Sequence, residues 1–204
     1  TTSEQLDYYE RMCKQIIQWI KRGTHPANKL ISLWNQEARA ITRNKASKAV
    51  EFGRRWIITR LLGGYVIGAP CNKLGGDADV KIAGEVLINF LNTMEEVPIA
   101  FIYDRGGDGP KNHEIVDAVG VQHNCIFRKG SEKMAVSKKV FEMARSERAL
   151  SEASIATIKH DRYGFNRPRA RLTESCTLKG QTAMFGFNTN HLFKDVLANW
   201  QVAS

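Results

Sequence analysis

No apolar run in the 204-residue chain approaches the roughly 18 to 20 residues needed to span a bilayer. The polar opening TTSEQLDYYERMCK also lacks the apolar stretch of a secretory signal. A soluble, cytoplasmic protein without membrane partners is therefore expected. Cysteine is scarce: Cys13, Cys71, Cys125 and Cys176 stand far apart, with no close pair of the zinc-knuckle or redox kind. They read as reduced thiols in or near a core. The five histidines, His25, His113, His123, His160 and His191, show no ligand-like spacing. There is no glycine-rich phosphate loop of the ATPase type, so no nucleotide cofactor is expected. Internal repeats and low-complexity linkers are absent as well.

Acidic residues are also in deficit. Thirty Lys and Arg face twenty-one Asp and Glu, a formal charge of +9, which favours a polyanionic partner such as nucleic acid. The excess is concentrated, because residues 128–171 hold twelve basic side chains and five acidic ones, seven of the nine surplus charges. With 43% hydrophobic residues the chain can form one sizeable core, and two independent cores would each be small. One main domain over 29–204 is expected, with residues 1–28 an N-terminal helix that links to, or remains from, an upstream region.

Leu6, Tyr9, Cys13, Ile16, Ile17 and Ile20 recur at spacings of three and four, predicting an amphipathic helix over 3–22 closed by Gly23, Thr24 and Pro26. The short apolar run KLISLW at 29–34 reads as a buried first strand. From Val50, two β-rich runs broken by Gly63-Gly64 predict a hairpin. Asp77 or Asp79 is placed to cap a helix carrying Val80, Ile82, Val86, Leu87, Phe90, Leu91 and Met94. IAFIYD at 99–104 is a continuous apolar strand, and Gly106, Gly107, Gly109 and Pro110 force a loop after it. A short helix, a strand over 121–127, a long helix over 136–159 and a helical tail over 177–199 complete the chain. That order is α/β, a mixed sheet flanked by helices.

Two carboxylates stand out. Asp104 ends a buried strand just before a glycine loop, where open α/β sheets place their ligands, although capping the loop is an equal use for it. Glu152 lies on the predicted long helix, on one face with Arg145, Arg148 and Lys159. Asp108, in the same glycine loop, reads as a turn residue. The loop DRYGFNRPRARLTE interleaves Tyr163 and Phe165 with Arg162, Arg167, Arg169 and Arg171. Such a segment can neutralise phosphates and stack on bases, or its aromatics can pack on the core.

The segments VEFGRRWIITRLLGGYVIG, FIYDRGGDG, ERALSEASIATIK, RYGFNRPRARLTE and GQTAMFGFNTNHLFKDV resemble those of DDE transposases from bacterial insertion sequences, over most of the chain from Lys29 to Val196. In one large branch of that family the third acid follows an arginine by four residues and precedes a lysine by seven, with a tyrosine three before the arginine. Arg148, Glu152 and Lys159 agree with that pattern, and Arg145 stands where the tyrosine is usual.

The resemblance implies a ribonuclease H-like domain with helical N- and C-terminal extensions, in which three carboxylates hold two Mg2+ or Mn2+ ions per site. Two cations about 3.5 to 4 Å apart activate the attacking oxygen and stabilise the leaving one, and carboxylates suit such hard ions. Asp104 and Glu152 are two of the acids by this reading. For the first acid, related transposases carry two acidic positions after a Ser-Leu pair; here Asn35 occupies the earlier and Glu37 the later. Glu37 is the working candidate, and Asn35 at the true ligand position would cripple the site. The implied partners are double-stranded DNA, both transposon ends and target, and further copies of the chain as a homodimer or larger assembly. Arg105, Lys129, Arg145, Arg148, Lys159, Arg162, Arg167, Arg169 and Arg171 would hold phosphates. A transposase-derived DNA-binding protein without chemistry and another ribonuclease H-like nuclease remain as alternatives.

Overall fold

The computed structural model describes residues 2–26, 29–42, 50–71, 81–128, 136–166 and 169–203. Thr2 and Gln5 exchange hydrogen bonds in a capping box that opens helix α1 (Ser3–Arg22), and Gly23, in the left-handed region at φ 64°, closes it. The expected strand over 29–34 does not form. Gln15 of α1 takes both backbone groups of Leu30, its Nε2 donating to the carbonyl (2.8 Å) and its Oε1 accepting from the N–H (2.7 Å). The Tyr8 hydroxyl donates to the carbonyl of Ser32 at 2.6 Å. With side chains satisfying those groups, the apolar run packs Leu30 on Tyr8 and Met12 without a ladder. Tyr8→Phe is expected to cost about 0.5 to 1.5 kcal/mol in a urea titration, and an unchanged midpoint would mean that this tether holds nothing.

The first strand comes later, as β1 (Arg39–Thr42), antiparallel to β2 (Val50–Gly53). The expected hairpin is β3 (Trp56–Arg60) with β4 (Val66–Pro70). Gly63 and Gly64 take φ values of 91° and 94° at its turn, a conformation side-chain-bearing residues rarely adopt. Helix α2 (Ala83–Met94) follows; the proposed caps Asp77 and Asp79 lie outside the described residues. Strand β5 (Ala100–Tyr103) leads through a 3-10 turn (Arg105–Gly107) into α3 (Pro110–Val119), and β6 (His123–Ile126) returns parallel to β5. The long helix is α4 (Lys138–Ile158), and the tail is a longer helix than expected, α5 (Thr173–Ala203).

The architecture is mixed α/β, with five α-helices among the described residues. A single mixed sheet was expected, whereas the described strands pair as three two-stranded sheets, one of them parallel. The alternation along β3 organises two cores. Ile57 joins Val86 and Leu87 of α2, Phe101 of β5, Val116 of α3 and Ile126 of β6. Trp56 and Ile58 face the other way, onto Val66, Ile158 of α4 and Met184 and Phe187 of α5. A Cβ at Gly180 would run into the Trp56 ring, so this position on α5 admits the indole only because it is glycine. An Arg60–Glu147 ion pair ties β3 to α4, and Asn188 of α5 brackets the Val66 N–H (2.9 Å) and C=O (2.8 Å).

Candidate active site

The parallel pair exposes its carboxyl edge where β5 and β6 end. Asp104 is the first residue past β5. Its Oδ1 accepts from the Gly106 N–H at 2.8 Å, capping the 3-10 turn, and the residue is exposed. Both sequence readings of Asp104, loop cap and edge carboxylate, describe the same position. Arg105 beside it is exposed.

Helix α4 carries the second acid and packs Arg148 beside the end of β6. The Phe127 N–H donates to the Tyr103 carbonyl at 2.9 Å, fixing the residue after β6 against the end of β5. The Arg148 guanidinium lies 5.1 Å over the Phe127 ring. Glu152, one turn on, accepts through Oε1 from Arg148 Nε at 3.2 Å, and the same oxygen stands 3.1 Å from Arg148 Nη2. Arg148 is thus held to the residue that follows β6, and Glu152 is held to Arg148. Arg145 is exposed on the same helix, and Lys159 closes it as C-cap.

Glu37 is placed differently. Its Oε2 meets a terminal nitrogen of Arg54 at 2.6 Å, with Arg54 only 15% and Glu37 33% exposed. The same Arg54 nitrogen donates to Thr177 Oγ1 of α5 at 3.1 Å. Asn35 is also bound there, accepting from the Glu37 N–H (3.2 Å) and the Thr173 hydroxyl (3.3 Å) and donating to Cys176 Sγ (3.5 Å). Both first-acid candidates thus pin the start of α5. Among the described residues no three His, Cys, Asp or Glu side chains are gathered to hold one metal ion. Hard carboxylate oxygens suit magnesium in kind, but Glu37 is committed to Arg54, Asp104 to a backbone N–H and Glu152 to Arg148. As arranged, the three do not fit a two-ion site.

Of the basic loop, Arg162 stacks 4.6 Å over Tyr163, and Arg169 and Arg171 are exposed. Its aromatics go to the core: Tyr163 meets Phe187 edge-on, and Phe165 meets Trp56. Base stacking by these two rings, one of the two expectations, gives way to packing. An open cleft of ≈ 430 Å3 lined by Ala156, Thr157, His160 and Arg162 lies beside the end of α4. Lys129 and Arg167 lie outside the described residues.

A network that sequence spacing did not reveal borders the same edge. His113 Nε2 lies 3.0 Å from Asp108 Oδ1, and Asn124 Nδ2 lies 3.1 Å from His113 Nδ1 and 3.2 Å from Asp117 Oδ1. Arg128, just past β6, approaches Asp108 at 3.5 Å. Asp108 is thus more than a turn residue, since it locks the glycine loop to α3 and the end of β6. The only local signal was the Asp-to-His spacing of five, which matches no regular face. The four cysteines carry no disulfide; Cys125 is fully buried, and that burial pushes its thiol up from the ordinary value. None of the described helices is long and apolar enough to cross a membrane. No protein-family model, curated protein or solved structure matches this chain.

Proposed function

We propose that the chain is the catalytic part of a DNA transposase, of ribonuclease H-like fold, that cuts at transposon ends and joins the freed 3′ hydroxyl to target DNA. The observation that supports this reading is the position of Asp104 directly after a parallel strand, with Arg148, the partner of Glu152, over Phe127 just past the neighbouring strand. The transposase-like segments contribute both residues, and the charge of +9 suits a DNA partner. Arg145 and Arg148 on α4, Lys159 at its C-cap, and Arg162, Arg169 and Arg171 after it supply cations along one stretch of chain. Their role is to neutralise phosphates and hold a strand for Asp104 and Glu152. A divalent cation, Mg2+ or Mn2+, supplies electrophilic activation at phosphorus when bound. Since the three acids as arranged do not fit two ions, no reaction step is assigned to it.

The test is strand transfer with a pre-cut, labelled transposon-type end, a plasmid target and Mg2+ or Mn2+. Joined product that vanishes in Asp104→Ala and Glu152→Ala is the expected result; no product under either metal, with DNA binding intact, sinks the catalytic reading. A second reading, a DNA-binding protein descended from a transposase, is favoured by one observation. Both first-acid candidates are consumed in structural contacts, Glu37 with Arg54 and Asn35 with Thr173 and Cys176. In either case DNA affinity is expected to fall steeply with salt. Arg145→Ala and Arg171→Ala should each flatten the log–log salt slope by about 1, read by fluorescence anisotropy. A slope unmoved by both would take these residues out of the interface.

A further inference from the structure

Asp104 stands at the head of a short loop, and that loop is shaped from α3. Its backbone makes one 3-10 turn, with the Gly107 N–H on the Asp104 carbonyl (3.1 Å) and the Gly106 N–H on Asp104 Oδ1 (2.8 Å). Gly107 is buried against the Tyr103 ring, where a Cβ would collide. Two successive residues of α3 hold the rest. Asn112, 5% exposed, donates from Nδ2 to the Gly107 carbonyl at 2.7 Å. His113 meets Asp108 Oδ1 through Nε2 at 3.0 Å, with both side chains almost enclosed at 12% and 13% exposure.

Contacts farther out decide which ring nitrogen of His113 carries the proton. Asn124 of β6 turns its Nδ2 to Asp117 Oδ1 (3.2 Å), and the same nitrogen lies 3.1 Å from His113 Nδ1. An amide nitrogen donates and does not accept, so Nδ1 accepts and the proton of the neutral ring sits on Nε2. Turning the amide over would give its Oδ1, buried without a partner among the described residues, to His113, but would also set that oxygen against the Asp117 carboxylate. Nε2–H therefore donates to Asp108. We propose that His113 is a positioning residue: a donor fixed by Asn124 and Asp117, it holds Asp108 and, with Asn112, sets where Asp104 presents its carboxylate. The inference rests on the transposase reading, in which Asp104 is an acid at the reacting phosphate. A misplacement of about 1 Å there costs on the order of 100-fold in rate. DNA affinity, carried by cations elsewhere, is left as it was.

Amide hydrogen exchange and single-turnover strand transfer, both on the whole chain, test it. In His113→Ala the Gly106 and Gly107 amides should exchange about 10-fold faster, while that of Leu87 in the main core is unmoved. The joining rate at saturating DNA should fall about 10- to 100-fold, with the DNA dissociation constant within about 2-fold of the parent's. His113→Gln, which keeps a side-chain N–H for Asp108, should recover both, and nitrogen NMR of the parent should show His113 as the Nε2–H tautomer. Unchanged exchange at Gly106 and Gly107, or equal acceleration at Leu87, overturns the proposal. So does an active parent whose joining rate survives His113→Ala, a Gln variant no better than Ala, or a proton found on Nδ1. A parent that joins no DNA sinks the transposase reading by itself, and the exchange and tautomer measurements still decide whether His113 holds the Asp104 loop.

Discussion

Leu87→Ala is expected to lower the stability of the fold by about 2 to 5 kcal/mol, the range for truncating a fully buried leucine. Leu87 is 0% exposed and belongs to the core cluster with Ile57, Phe101, Val116 and Ile126, which joins elements from β3 to β6. Removing three carbons there leaves a void that the four surrounding elements cannot close together. For a chain of this size each kcal/mol moves the melting temperature by about 2 to 4 °C, so a fall of roughly 5 to 20 °C is expected. The neighbouring Ile88 is 52% exposed. Ile88→Ala should stay within about 0.5 kcal/mol. Equal losses at the two positions would show that α2 does not bury the face assigned to it.

Arg54→Leu is expected to cost about 2 to 4 kcal/mol, because it strands the Glu37 carboxylate and takes a donor from Thr177. The figure is set below that of a fully buried pair, since water still reaches a third of Glu37. Most of the loss is the cost of leaving a charge unpaired, so removing both partners should recover it. In Arg54→Leu/Glu37→Leu the urea midpoint should return to within about 1 kcal/mol of the parent. A double variant no better than Arg54→Leu would mean that Arg54 acts through Thr177 and the start of α5, and that its contact with Glu37 contributes little. The outcome bears on the site, because a carboxylate that exists to balance Arg54 is a poor first acid. If Glu37→Gln leaves stability near the parent's but removes strand transfer, Glu37 belongs to the chemistry.

Much of the local structure was legible from residue order. The three-and-four spacing of Leu6, Tyr9, Cys13, Ile16 and Ile20 marks α1, Gly63-Gly64 marks the hairpin turn, and the unbroken apolar run before Asp104 marks β5. These signals work because helix period and turn geometry are decided within a few residues; the buried face is not, since on α1 Tyr8 and Met12 are buried while Leu6, Ile16, Ile17 and Ile20 stay exposed. The position of Asp104 at a strand end follows from the same local logic, and so does the Arg148–Glu152 pair, one turn apart on α4.

What residue order could not decide was which atom meets which across the chain. KLISLW is apolar enough for a strand, yet Gln15 and Tyr8, from a separate helix, took its backbone groups. Tyr163 and Phe165 carry the same rings whether they face bases or the core, and the positions of Phe187 and Trp56 decided for the core. Glu37 and Asn35 looked like rival ligand positions, and residue order gave no sign that one meets Arg54 and the other Thr173 and Cys176. Periodicity therefore determined the elements and the edge on which Asp104 stands. The tertiary structure decided the partners of each isolated polar group, since a hydrogen bond between residues 138 positions apart leaves no trace in the spacing of either.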